Sequence, residues 1–203
     1  MTSFSANTSR LPSALSLGVF CGSRHGSDPA YRAAAAQLGT ALGQNGIRLV
    51  YGGGQVGLMG VVADATLEAG GQVLGIIPGF LQRREVAHQG PIAMVVTDNM
   101  HDRKRQMFEA SDAFAVMPGG LGTFDEAIEI TTWRQLGLHD KPIYICNVAG
   151  WAAAYIAAID TAIAQGFAPT SSRNLFEVLP DVPTLMARLA VLTPAQRGQP
   201  ERV

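Results

Sequence analysis

Cys21 and Cys146 are the only two cysteines in this 203-residue chain, and each closes an apolar run instead of belonging to a patterned framework. That excludes a disulfide-stapled scaffold and makes a reducing compartment the default. Lysine is equally scarce: Lys104 and Lys141 stand against 13 arginines. Chemistry that requires a lysine therefore has only two places to occur. No apolar run approaches the roughly 18 residues of a membrane-spanning helix. The run Leu15–Cys21 is too short for a secretory signal and lacks a clear small-residue cleavage site behind a basic start. A net charge of −1 gives no broad basic footprint for nucleic acid. The four histidines (His25, His88, His101, His139) show no metal-ligand spacing with one another or with the cysteines. The expectation is a cytoplasmic protein with no nucleic-acid partner, no membrane contact, no metal and no cofactor.

What the chain does contain is an alternation. Strand-length apolar runs at Leu15–Cys21, Ile47–Tyr51, Gln72–Ile77, Ile92–Thr97, Ala113–Met117 and Pro142–Cys146 are nearly continuous in apolar residues. Continuous runs mark strands covered on both faces. Helical patterns separate them at about Asp28–Gln44, Gly57–Ala69, Met100–Ser111, Thr123–Leu136 and Trp151–Gln165, with a last one near Val182–Leu192. This predicts an α/β fold: a Rossmann-like, doubly wound parallel sheet with helices on both faces. Residues 1–14 read as a flexible N-terminal tail, 15–192 as a single nucleotide-binding domain, and 193–203 as a C-terminal tail.

Glycines gather where strands pass into helices: Gly22, Gly52-Gly53-Gly54 with Gly57, Gly79, and Gly119-Gly120 with Gly122. In open parallel sheets ligands bind beyond the carboxyl ends of the strands, so one rim is marked as a site, with Gly22, Ser23, Gly53 and Gly54 among its candidates. The turn Pro118-Gly119-Gly120-Leu121-Gly122-Thr123 follows a buried strand and opens a helix. Bare backbone N–H groups and the positive end of a helix suit a phosphate. The Gly-Lys-[Ser/Thr] ending of a P-loop is missing, and the first strand–helix turn lacks the spacing of a dinucleotide fingerprint. Thr123 and Glu126 also match a helix capping box, T-x-x-E, a purely structural role for Glu126. Two carboxylates, Asp125 and Glu126, beside a phosphate would call for a cation nearby.

His101-Asp102-Arg103-Lys104-Arg105 supplies cations. At 3.6 residues per turn Arg103 stacks with Met100 and Met107, and Lys104 with Met100 and Phe108, whereas Arg105 shares a polar stripe with His101 and Glu109. Arg103 and Lys104 are thus expected on the sheet side and Arg105 in solvent. A cation on a buried helix face needs an anion, either a ligand or a carboxylate of a neighbouring element.

These residues together resemble the LONELY GUY family, the cytokinin-activating nucleoside 5′-monophosphate phosphoribohydrolases, many once labelled lysine decarboxylases. The resemblance runs from about Ser16 to Leu192. It rests on P-G-G-x-G-T-x-x-E (Pro118 to Glu126) and M-H-x-R-K (Met100 to Lys104), with support from YGGGQVGLMG (Tyr51–Gly60), REVAH (Arg84–His88) and TWRQLGLHD (Thr132–Asp140). The resemblance implies hydrolysis of the N-glycosidic bond of an adenosine-type 5′-monophosphate, giving free base and ribose 5-phosphate. It makes Arg103 and Glu126 catalytic. It puts phosphate and ribose on Gly119, Gly120, Leu121, Gly122 and Thr123 with help from Lys104, and sets Glu85 and Thr132 along the pocket. It also implies a homodimer.

In physical terms, breaking a ribosyl C–N bond builds positive charge on the sugar. A carboxylate under C1′ stabilises that charge and can orient water. The acid that protonates the base is open, with His88 and Asp125 as candidates. Three rivals are set aside. A pyridoxal-phosphate decarboxylase would need Lys104 or Lys141 as its Schiff-base lysine. A nucleotide or molybdenum-cofactor carrier would share the turns without the chemistry. A dinucleotide oxidoreductase lacks its fingerprint.

Overall fold

The computed structural model describes residues 15–82 and 87–192. The expected terminal tails and Glu85 lie outside the described residues. Seven parallel strands form one sheet: β1 (Ser16–Phe20), β2 (Arg48–Tyr51), β3 (Val73–Pro78), β4 (Ala93–Thr97), β5 (Ala113–Val116), β6 (Ile143–Cys146) and β7 (Glu177–Leu179). The helices are α1 (Pro29–Gln44), α2 (Gly57–Glu68), α3 (Gly79–Gln82), α4 (Met100–Glu109), α5 (Leu121–Gln135), α6 (Ala153–Ala164) and α7 (Val182–Ala190). The sheet order is β4-β3-β2-β1-β5-β6-β7. The chain winds outward from β1 through β4, then returns to β5 on the other side of β1. The α/β doubly wound reading holds, and the switch point of such a sheet, where ligands bind, falls between β1 and β5.

Alternating side chains divide the interior in two. Leu17, Val19 and Cys21 pack with α1, α2 and α7 on one face. Phe20, Phe114 and Val116 pack with Met107 and Phe108 of α4, Ala127 and Ile130 of α5, and Tyr155 on the other. The short strand β7 and the single turn α3 were not anticipated. Three residues carry too little periodicity to be seen, and β7 exists because its register on β6 completes the sheet. Strand β4 departs from the expectation of strands covered on both faces: Val95 and Val96 are exposed, as befits an edge. Among the described residues no helix is long and apolar enough to cross a membrane.

One helix start differs from the sequence reading in a way that matters. Helix α5 begins at Leu121 with Gly120 as its N-cap and no side-chain cap. Thr123 therefore lies inside the helix, and the capping-box role for Glu126 is removed. Helix α4 is capped by Asn99, whose side chain accepts from the Asp102 N–H.

The turn after β2 is bound tightly to the turn after β1. The amides of Leu58 and Met59 both donate to the Gly22 carbonyl, at 2.9 and 3.3 Å. Gly57 makes this possible: its φ is +63°, and a Cβ there would run into the Ser23 backbone. Replacing Gly57 by Ala is expected to cost about 1–3 kcal/mol from the left-handed conformation alone, with more from displacement of the Ser23 turn. Urea unfolding at equilibrium checks this; an unchanged midpoint would contradict the account.

Candidate active site

Helix α4 and helix α5 bring Arg103 and Glu126 together. Arg103 Nη1 lies 3.1 Å from Glu126 Oε1, and both side chains are more than nine-tenths buried. Arg103 is fixed a second time, its Nε–H donating to the Ile76 carbonyl at the end of β3, 3.1 Å away. Gly52 makes room, because a Cβ there would collide with the guanidinium. The sequence pattern put Arg103 on the sheet side, and it is buried there. A buried ion pair is held in place only when its remaining hydrogen-bonding capacity is met, and β3 meets part of it here.

The pair lines a cavity of about 150 Å³ with Val19, Cys21, Gly22, Ser23, Gly52, Met59 and Gly120 to Thr123. A wider cavity of about 500 Å³ adjoins it, sharing Gly22, Ser23, Gly120 and Leu121 and adding Arg24, His25, Gly26, Tyr31, Leu58, Pro118, Gly119 and Trp151. Both open at the switch point. The glycines of the turn divide into two kinds. Gly119 is dictated by the fold: a Cβ there would strike Thr123 and approach the Gly22 amide to 2.9 Å. Gly120 and Gly122 would meet no protein atom within 4 Å. Neither has the positive φ that demands glycine. Their bareness leaves the first amides of α5 open to the cavity, which is the geometry of an anion cradle. Trp151 closes the far side, donating from Nε1 to the Gly119 carbonyl at 3.0 Å and stacking on Phe124.

Other candidates lie elsewhere. Lys104 Nζ sits 3.1 Å from both Asp125 and Glu129, and neither Lys104 nor Asp125 lines either cavity. Burial works to lower the Lys104 pKa, but the hydrogen bonds it donates to Glu129 and Asp125, with their charges, raise it on balance. Gly53 and Gly54 support the next loop, Gly53 accepting from the His88 amide and Gly54 bridging Ala87. His88 turns away from the site: Nε2 contacts Asp64 at 2.9 Å while Nδ1 accepts from the Gly90 amide. Thr132 is exposed on the outer face of α5. Arg105 is exposed and pairs with Asp102. The sequence reading missed Cys21, Met59, Arg24, His25, Tyr31 and Trp151. Arg24 and His25 stood in the first turn it quoted, but nothing local marks Trp151, whose bond to Gly119 spans 32 residues of chain.

The fold and the site define a Rossmann-like α/β protein with a buried Arg–Glu pair beneath a glycine turn built to receive an anion. The family model described as "Possible lysine decarboxylase" matches residues 59–189. Neither lysine lines the cavities, since Lys141 is also buried, with its Nζ on the Phe108 carbonyl. Among curated relatives, the chain is 44% identical over 176 residues to the probable cytokinin riboside 5′-monophosphate phosphoribohydrolase LOGL9 of Oryza sativa subsp. japonica, covering 87% of this chain and 78% of that one. It is 42% identical to LOG2 of Arabidopsis thaliana, a cytokinin riboside 5′-monophosphate phosphoribohydrolase, covering 87% and 83%. The chain belongs to this LOG phosphoribohydrolase family. Among solved structures, the Moco carrier protein of Chlamydomonas reinhardtii superposes with a TM-score of 0.66 at 20% identity, covering 88% of this chain and 96% of that one. At that identity the likeness concerns the fold alone.

Both thiols are withdrawn from chemistry. Burial, with the Glu126 charge as a smaller contribution, pushes the Cys21 thiol far above its ordinary range. Burial, then Asp181, pushes Cys146 up to about 12. Thiolate is the reactive form, so burial suppresses it at both cysteines near neutral pH. Native protein at pH 7.5 is expected to resist iodoacetamide and to take up two labels once unfolded. Mass spectrometry of the two samples decides, and rapid native labelling of Cys21 would refute the buried site wall.

Proposed function

We propose that this chain hydrolyses the N-glycosidic bond of purine nucleoside 5′-monophosphates of the adenosine and cytokinin riboside type, releasing free base and ribose 5-phosphate. The observation that carries this is the Arg103–Glu126 pair in its small cavity directly under the open glycines of α5. The 5′-phosphate binds at the amides of Gly120 to Thr123, where the helix end favours negative charge. The sugar then lies over Glu126. As the C1′–N bond lengthens, positive charge grows on the ribose, and a fixed, buried carboxylate stabilises it more than solvent would. Glu126 also aligns the attacking water. Arg103 balances the carboxylate and holds it in one geometry. The phosphate is a remote handle whose binding energy positions the sugar, which gives the reason for preferring monophosphates to nucleosides. Relatives named as phosphoribohydrolases at 40–44% identity support the reading. A carrier without chemistry has only the fold in its favour.

The protein is further proposed to act in the cytoplasm as a homodimer. An apolar stripe runs along the outer face of α5: Leu121, Ile128 and Leu136 are 87%, 53% and 68% exposed. Their spacing of seven and eight residues keeps them on one helical face, and Thr132 lies among them. The stripe begins at the mouth of the site, so a second copy seated there would bring Thr132 near the cavity that it does not line within one chain.

Incubation with AMP or isopentenyladenosine monophosphate, followed by chromatography, is expected to yield free base and ribose 5-phosphate. Glu126→Gln and Arg103→Ala should each lower kcat by at least about 10²–10³-fold, with circular dichroism confirming the fold. A wild-type protein that binds these nucleotides and leaves them intact is a carrier instead. For the assembly, light scattering should give twice the chain mass for wild type and one chain mass for Ile128→Arg.

A further inference from the structure

A three-residue segment that lines neither cavity ties the two catalytic helices together. His139 and Lys141 precede β6 and are 6% and 1% exposed. His139 Nε2 donates to the Ile130 carbonyl of α5 at 2.9 Å. Lys141 Nζ donates to the Phe108 carbonyl of α4 at 2.7 Å and stands 4.0 Å over the Phe108 ring. The segment is locked internally, the Lys141 amide donating to His139 Nδ1 at 3.1 Å. That bond fixes His139 as the neutral tautomer with its proton on Nε2. The Phe108 ring fills the space between, edge-on to Trp133 of α5 at 5.2 Å and to His139 at 4.9 Å.

The anchor points lie on the same two helices as the pair. Ile130 lies one helical turn beyond Glu126 on the same face, and Phe108 lies five residues beyond Arg103, about 7.5 Å along α4 and about 140° around it. We propose that His139 and Lys141 are positioning residues that set α4 against α5 so that Arg103 and Glu126 meet at 3.1 Å. This inference rests on the reading of that pair as the reacting groups.

The energetics of Lys141 favour a positional role over a stabilising one. Among the described residues no carboxylate lies within ion-pair distance of its ammonium. Burial lowers its pKa to about 8, against weaker upward pulls from Asp112 and Glu109. A buried ammonium carries a desolvation cost that an apolar residue of similar length does not. The Phe108 carbonyl would retain the Ser111 amide, 3.3 Å away. A methionine of similar length is therefore expected to fold while releasing α4.

The test uses the full chain with Lys141→Met, His139→Gln and His139→Leu. Glutamine preserves a donor near the position of Nε2, and leucine does not. Lys141→Met should keep a melting temperature close to wild type, whereas His139→Leu, which also strips the Lys141 amide of its acceptor, should fold with a lower one. Both should lose at least about tenfold in kcat, with KM changed less than about threefold. His139→Gln should recover most of kcat. In ¹⁵N-labelled protein the Arg103 Nε–H, protected by its bond to Ile76, should exchange at least about tenfold faster in Lys141→Met. Wild-type kcat and protection in a folded Lys141→Met, or His139→Gln as impaired as His139→Leu, would overturn the proposal. Should Lys141→Met fail to fold, the two His139 variants decide. A wild type that releases no base, with the exchange difference still present, refutes the hydrolase reading and leaves the positioning intact.

Discussion

The structure turns on one buried ion pair. Removing two charges from water costs several kcal/mol for each ion, and the attraction between them offsets this only with good geometry and further hydrogen bonds. The fold provides these by convergence: α4 brings the guanidinium, α5 the carboxylate, β3 a carbonyl for Arg103 Nε, and Gly52 the space between them. Each of these elements ends or begins at the same rim of the sheet. The pair therefore exists only because the strands are parallel and the chain reverses its winding at β1 and β5.

The glycines separate two kinds of constraint that look identical in a sequence. Gly57 and Gly119 are needed by the protein itself, one for its positive φ and contact with Ser23, the other for contact with Thr123 and Gly22. Gly120 and Gly122 meet nothing. Their missing side chains keep the start of α5 open, so they speak of a ligand, while the first two speak of packing. One short motif thus carries both a folding requirement and a binding surface. The charges divide in the same way. Arg103 faces a buried carboxylate, whereas its neighbour Lys104 takes two carboxylates nearer the surface of α5 and helps hold the helices together without lining a cavity.

Much of the fold was legible because its signals are local. Continuous apolar runs gave six strands, glycine-rich turns gave the active rim, and the 3.6-residue period placed Arg103 inside and Arg105 outside. What failed were features whose cause is distant in the chain. The T-x-x-E pattern suggested a capping box, yet Gly120 takes the cap position, two residues after Pro118, whose carbonyl accepts from the Gly22 amide. Strand β7 is three residues set by pairing with β6. Trp151 and Tyr31 gave no sign of lining a cavity, since that depends on where two loops from different strands come to rest. Gly53, Gly54 and Thr132 were candidates by motif, and the structure places them beneath the next loop or on the outer face of α5.

The sequence by itself determined the class of architecture and marked the rim on which a ligand can sit, while Arg103 and Glu126 entered as the pair that the family resemblance implies. The architecture and the rim follow from periodicity and glycine spacing, which act within a few residues. Only the tertiary structure decided that Arg103 and Glu126 are partners, that Lys104 serves other carboxylates, that Cys21 is a sealed wall, and that His139 and Lys141 bind α5 to α4 from behind. Those outcomes depend on distances between residues 9 to 105 positions apart in the chain. Such distances are set by the order of strands in the sheet, which no local pattern encodes.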